Sequence, residues 1–154
     1  MHLEKRLEFN GHSGAIYTLD IQDNFIFSGS GDKIVAKWNL TTGTQENFSI
    51  QCEQAIYCLK LVNGKRQLAV GTSSGALHII DLIQKAEIKH FINHQSGIFE
   101  IEENSLKAQI YTTDADGNLA IWDSGTWDLL MFLPLELGKI RNIYVAESGN
   151  VIYL

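Results

Sequence analysis

The chain has 154 residues, 45% of them hydrophobic, and a formal net charge of −6; it can bury a core, and one domain is the expectation for this length. The acidic balance and the lack of any Lys/Arg cluster argue against sequence-independent binding to nucleic acid, which draws its affinity from neutralised phosphates. No apolar run reaches the ~18 residues of a membrane helix, and "MHLEKRLEF" carries charges where a signal peptide needs its apolar stretch, so a cytoplasmic protein without membrane contact is expected. Two cysteines, Cys52 and Cys58, with no CxxC spacing imply neither a disulfide framework nor a zinc site.

Taken in chain order, Leu3–Phe9 reads as a strand. Four short strands follow, Ala15–Ile21, Asn24–Gly29, Ile34–Asn39 and Gln45–Ile50, divided by "QD", "SGD" and "TTGT", whose residues favour turns. The pattern then recurs. Trp38, Ile80 and Trp122 stand at two intervals of 42, with Asp32, Ser74 and Asp116 six residues before them. Upstream, "AIYTLDI" (Ala15–Ile21), "AIYCLKL" (Ala55–Leu61), "GIFEIEE" (Gly97–Glu103) and "KIRNIYV" (Lys139–Val145) stack at offsets of 40, 42 and 42. The repeats span approximately 10–50, 52–92 and 93–133, with a partial unit over 138–154, all within one segment, 1–154. Many short strands on such a period predict an all-β fold of propeller blades, each of four antiparallel strands. Apolar residues on both faces of "KIVAKW" and "LHII" suit sheets covered on both sides. Pro134 falls at the end of an outer strand, where a missing N–H is tolerated.

Gly11-His12, "SGSGD" (Ser28–Asp32) and Trp38-Asn39, followed by Asn93-His94, Thr112, Asp116 and Trp122-Asp123, resemble the WD-repeat β-propeller family over essentially the whole chain. The resemblance implies a buried hydrogen-bonded tetrad in each blade: His12, Ser28, Asp32 and Trp38 in the first, and His94, Thr112, Asp116 and Trp122 in the third. The second unit has Gln54, Val70, Ser74 and Ile80 instead. Such coordinated loss suits a network that is favourable complete and costly in part. His78, where the other units have Ala36 and Ala120, is expected to fill part of the space that Ile80 leaves.

The resemblance further implies a non-catalytic scaffold that holds a peptide or protein on the rim of its central channel. The rim positions are Tyr17, Tyr57, Phe99 and Arg141 on the innermost strands, and Ser73, with Gly31 and Ala115, before the turn aspartates. It also implies that residues 3–9 are the outer strand that closes the ring. Three and a half repeats are about half of a seven-bladed ring, so the ring is expected to be incomplete, as in a fragment of a larger protein, or completed by a second copy of the chain.

Enzyme chemistry finds little support. Gly71-Thr72-Ser73-Ser74-Gly75 matches the hydrolase pattern G-x-S-x-G, which needs a strand before it and a helix after it; here a strand follows. His90 and His94 are four apart, but on a strand and its following loop rather than on one helical face. No catalytic residue, metal ligand or cofactor is therefore assigned.

Overall fold

Short apolar strands divided by turn residues satisfy their backbone groups by pairing with their neighbours in sequence. The computed structural model, which describes residues 4–154, has this arrangement throughout. The first sheet contains β1 (Ile16–Gln22), β2 (Phe25–Ser30), β3 (Ile34–Asn39) and β4 (Gln45–Gln51). The second contains β5 (Ile56–Val62), β6 (Gln67–Thr72), β7 (Leu77–Asp81) and β8 (Ala86–Phe91), and the third β9 (Ile98–Asn104), β10 (Gln109–Asp114), β11 (Asn118–Asp123) and β12 (Leu129–Pro134). Strand order follows chain order in each, and every pairing is antiparallel. Among the described residues there is no helix.

Two expected strands differ. Of Lys139–Val145, only β13 (Tyr144–Val145) forms, because its sole ladder is the short one with β14 (Ile152–Tyr153). Ile140 and Ile143 are still buried. Residues 4–9 form no strand, although the Phe9 ring lies 5.7 Å from that of Trp38; Leu3 falls outside the described residues.

The sheets pack face to face as blades, with β1, β5 and β9 adjacent along the inner edge. Strand alternation sends successive side chains to opposite neighbours. Leu68, Val70 and Ile80 join Phe27 and Val35 between the first and second blades. Ala69 and Ile79 join Ile98, Ile110 and Trp122 between the second and third. Tyr111 and Leu119 meet Ile143 and Ile152 beyond the third. A middle blade apolar on both faces is therefore the condition for two cores, and each fully buried Leu or Ile contributes about 1.5–3 kcal/mol. Polar links also cross the interfaces: the Leu59 N–H donates to Thr18 Oγ1 (3.2 Å) and the Leu61 N–H to the Asp20 carboxylate (2.8 Å).

Candidate functional site

Four of the five predicted rim residues come together. The inner strands share one register, with Ile16, Ile56 and Ile98 opposite Ser30, Thr72 and Asp114, and the next residue of each is aromatic. Tyr17 meets Tyr57 edge-on (5.5 Å, 80°), Tyr57 stacks on Phe99 (5.6 Å, 17°), and the Arg141 guanidinium lies 4.9 Å over the Phe99 ring. These four side chains line a cleft of about 400 Å3. Small residues make room for the rings: a Cβ on Gly97 would lie 2.9 Å from Tyr57, and one on Gly31 3.2 Å from Tyr17.

The same backbone bond braces the rim in each blade. Gly31, Ser73 and Ala115 donate their N–H to the carbonyls of Ala15, Ala55 and Gly97 at 2.8, 2.9 and 3.0 Å. Ser73 thus sits beside the ladder but does not line the cleft. One layer along the strands, Lys60 pairs with Glu102 at 2.6 Å. Burial opposes the charge on Lys60, but Glu102 outweighs it and raises the ammonium pKa.

The tetrads form in the first and third blades with one correction. In the first, His12 bonds Asp32 through Nδ1 (2.9 Å) and Ser28 through Nε2 (2.7 Å), and the Trp38 indole N–H donates to Ser28 (2.7 Å). In the third, the carboxylate is Asp114, not the expected Asp116. His94 Nδ1 lies 2.7 Å from Asp114, Nε2 lies 2.8 Å from Thr112, and Trp122 donates to Thr112 at 2.9 Å. Asp114 is the last residue of β10, two after Thr112 and so on its face of the strand. It also takes the N–H groups of Asp116 and Asn118 and the Asn118 side-chain amide, which leaves the Asp116 side chain in solvent. In the first blade that strand position is Ser30, too short to reach the imidazole with a charge, and Asp32 acts from the turn.

Proton positions follow from the ends of the chain: Trp122 can only donate and Asp114 accepts, so Thr112 donates to His94 Nε2 and His94 Nδ1–H donates to Asp114. Burial pushes the His94 pKa below its ordinary 6.5, and the bond to Asp114 only partly offsets it. For Asp114, burial pushes the pKa up, but the bonds from Asn118 and His94 outweigh it and hold the carboxyl below 3.8. The unfolded chain therefore binds a proton on this histidine more readily than the folded one, so stability is full above 6.5 and falls as pH drops below it. Urea midpoints are expected to decrease between pH 7.5 and 5.5, and His94→Gln, less stable throughout, is expected to lose part of that slope.

In the second blade the structure replaces the expected Gln54, which is exposed, with Cys52. Cys52 stands four residues before Ile56, as His12 and His94 stand four before Ile16 and Ile98. The β5–β6 hairpin is two residues longer than β1–β2, and a constant repeat of 42 therefore slips on its upstream side. Cys52, Val70 and Ile80 form an apolar patch in place of the polar network, and burial raises the Cys52 thiol pKa to about 11. With no indole at position 80, a groove of about 920 Å3 opens between β4 and the outer part of the second blade. His78 lines it without filling it. "GTSSG" is the end of β6 and the tight turn that leads to β7, with no helix after it.

The WD domain, G-beta repeat family model matches residues 3–39. Angio-associated migratory cell protein from Homo sapiens is 33% identical over 90 residues, covering 53% of this chain and 20% of that protein. Eukaryotic translation initiation factor 3 subunit I from Culex quinquefasciatus is 22% identical over 161 residues, covering 94% and 49%. The chain thus spans between a fifth and a half of the length of these relatives. Among solved structures, the RRP9 WD40 repeats superpose with a TM-score of 0.78 at 19% identity over 85% of this chain and 42% of that one. The computationally designed Ika4 protein superposes with a TM-score of 0.80 at 20% identity, over 98% and 91%. Repeats in register, tetrads formed in two blades and these likenesses together give the chain the fold of a WD-repeat β-propeller, with a WD repeat matched over residues 3–39.

Proposed function

We propose that the chain is a non-catalytic interaction scaffold that binds a peptide or protein partner in the rim cleft. The observation that carries this reading is the ladder of Tyr17, Tyr57, Phe99 and Arg141, aligned around one cleft and partly open to solvent. Tyr and Arg are the residue types that dominate hot spots, and rings already stacked lose little freedom on binding. The names of the relatives point the same way, since one is a subunit of a multiprotein factor. The net charge of −6 disfavours a nucleic-acid partner. With the chain as bait, Tyr57→Ala and Phe99→Ala are each expected to weaken the captured partner by about 2 kcal/mol, roughly thirtyfold. Unchanged affinity in both variants, measured by calorimetry with that partner, would refute the rim as the binding face.

A second reading concerns the uncovered side of the first blade. Leu19 and Ile21 are 60% and 52% exposed, whereas their register equivalents Leu59 and Leu61, covered by the first blade, are 4% and 5% exposed. A further propeller blade fits that face. A second copy of the chain could supply it, as could blades of a longer protein. Light scattering on this chain distinguishes the two: a dimer mass supports ring completion between copies, and a clean monomer ends it.

A further inference from the structure

We propose that the second blade carries a binding site for a late first-row divalent cation, Zn2+ in particular, with His78, Glu87 and His90 as its ligands. These residues belong to the β7–β8 hairpin. His78 and His90 are direct cross-strand partners, and a bulge between Ile79 and Ile80 shifts the register so that Glu87 faces Ile80 on the same side. One ligand-type atom from each of the three lies within 4.8 Å of the others. His78 Nδ1 is already 2.6 Å from the Glu87 carboxylate, and the two imidazoles stack at 4.5 Å between centroids, 9° from parallel.

Comparison among the blades shows that the cluster is particular to this one. The positions of His78, His90 and Glu87 are held by Ala36, Ser49 and Gln45 in the first blade, and by Ala120, Phe132 and Leu129 in the third. All three ligands therefore occur in the blade whose tetrad is absent. Phe132 there packs on the tetrad histidine, His94, at 5.4 Å. In the second blade that wall is the apolar patch of Cys52, Val70 and Ile80, and the groove beside it leaves the imidazoles room to turn.

The chemistry matches the cation. Two imidazoles and a carboxylate are a common three-ligand set for Zn2+, which binds nitrogen and oxygen at about 2.0–2.2 Å in tetrahedral geometry, leaving a fourth position for water. Ligand atoms around such an ion stand about 3.4 Å apart, so the His78–Glu87 pair must open from 2.6 Å while the longer separations, none above 4.8 Å, close by at most about 1.4 Å. His90 and Glu87 are exposed and rotate freely enough to do so; His78, whose side chain is 16% exposed, is the fixed member. Unstacking the rings is part of this step, because both lone pairs must lie in their ring planes and converge. Imidazole-rich sites also take Ni2+ and Cu2+, with Cu2+ tightest among these ions.

The test is a titration of the full chain, stripped with chelator, by Zn2+ alone in a calorimeter. One saturable equivalent per chain is expected, together with a rise in the thermal midpoint when Zn2+ is present. His90→Ala and Glu87→Gln, both at exposed positions and checked for an unchanged circular dichroism spectrum, should lose that equivalent. His2→Ala, which removes the histidine beside the N-terminus, should keep it. Absence of saturable binding, or binding of wild-type strength in His90→Ala, overturns the proposal. A tetrahedral visible spectrum on Co2+ substitution that disappears in His90→Ala would support it independently, and an octahedral spectrum with no dependence on His90 would count against it.

Discussion

Asp114→Ala is expected to destabilise the chain by about 3–5 kcal/mol, while Asp116→Ala two residues away changes stability by no more than about 0.5 kcal/mol. Removing the Asp114 carboxylate leaves four donors without their partner: His94 Nδ1–H, the Asp116 and Asn118 backbone N–H groups and the Asn118 amide. Those around His94 have little access to water, because the side chains of His94 and Asp114 are 1% and 0% exposed. An orphaned buried donor costs about 1–3 kcal/mol. Asp116 offers only its backbone to the network, which alanine preserves. Equilibrium urea unfolding of the two variants measures the contrast. Equal losses would mean that the third blade uses its turn aspartate after all, as the first blade does with Asp32.

Gly75→Ala is expected to cost about 3–5 kcal/mol, against about 1–2 kcal/mol for Gly64→Ala. Both glycines have positive φ, +89° and +63°, so both substitutions incur the penalty of placing a Cβ in the left-handed region. At Gly64 nothing lies within 4 Å of the added atom. At Gly75 it would press on the backbone of the third blade, against the carbonyl oxygens of His94 and Ser96, the latter at 2.7 Å. Backbone carbonyls cannot swing aside as a flexible side chain can. The β6–β7 turn would have to retreat from the next blade and strain the bond from the Ser73 N–H to the Ala55 carbonyl that braces the rim. Thermal unfolding of both variants isolates the interblade term as their difference.

Much of this architecture is legible in the sequence because a blade is a local object. Its four strands are consecutive, its turns are short, and neighbouring repeats share their register, so Trp38, Ile80 and Trp122 announce the period without knowledge of any contact. The rim ladder was legible for the same reason, since Tyr17, Tyr57 and Phe99 hold one position in successive inner strands. The tetrads were legible only in part. Each joins a residue upstream of the first hairpin to residues downstream of it, and that hairpin is two residues longer in the second and third blades than in the first. A constant interval of 42 therefore misplaces the upstream member in the second blade, where it selects Gln54 over Cys52. In the third, the occupant of the strand position, Asp114 where the first blade has Ser30, decides which carboxylate reaches the histidine.

By itself, then, the sequence determined the repeat, the strand order, the loss of the second blade's polar network and the shared position of Tyr17, Tyr57 and Phe99 on successive inner strands, because all of these depend on periodicity along one chain. Only the tertiary structure decided that the missing indole leaves an open groove that His78 does not fill. It alone brought His78, Glu87 and His90 together, through a cross-strand pairing whose register is set by a bulge between Ile79 and Ile80. A bulge adds one residue to one strand and leaves no mark on the period. What faces what across a hairpin, and what space remains between two blades, is fixed by pairing and packing rather than by spacing.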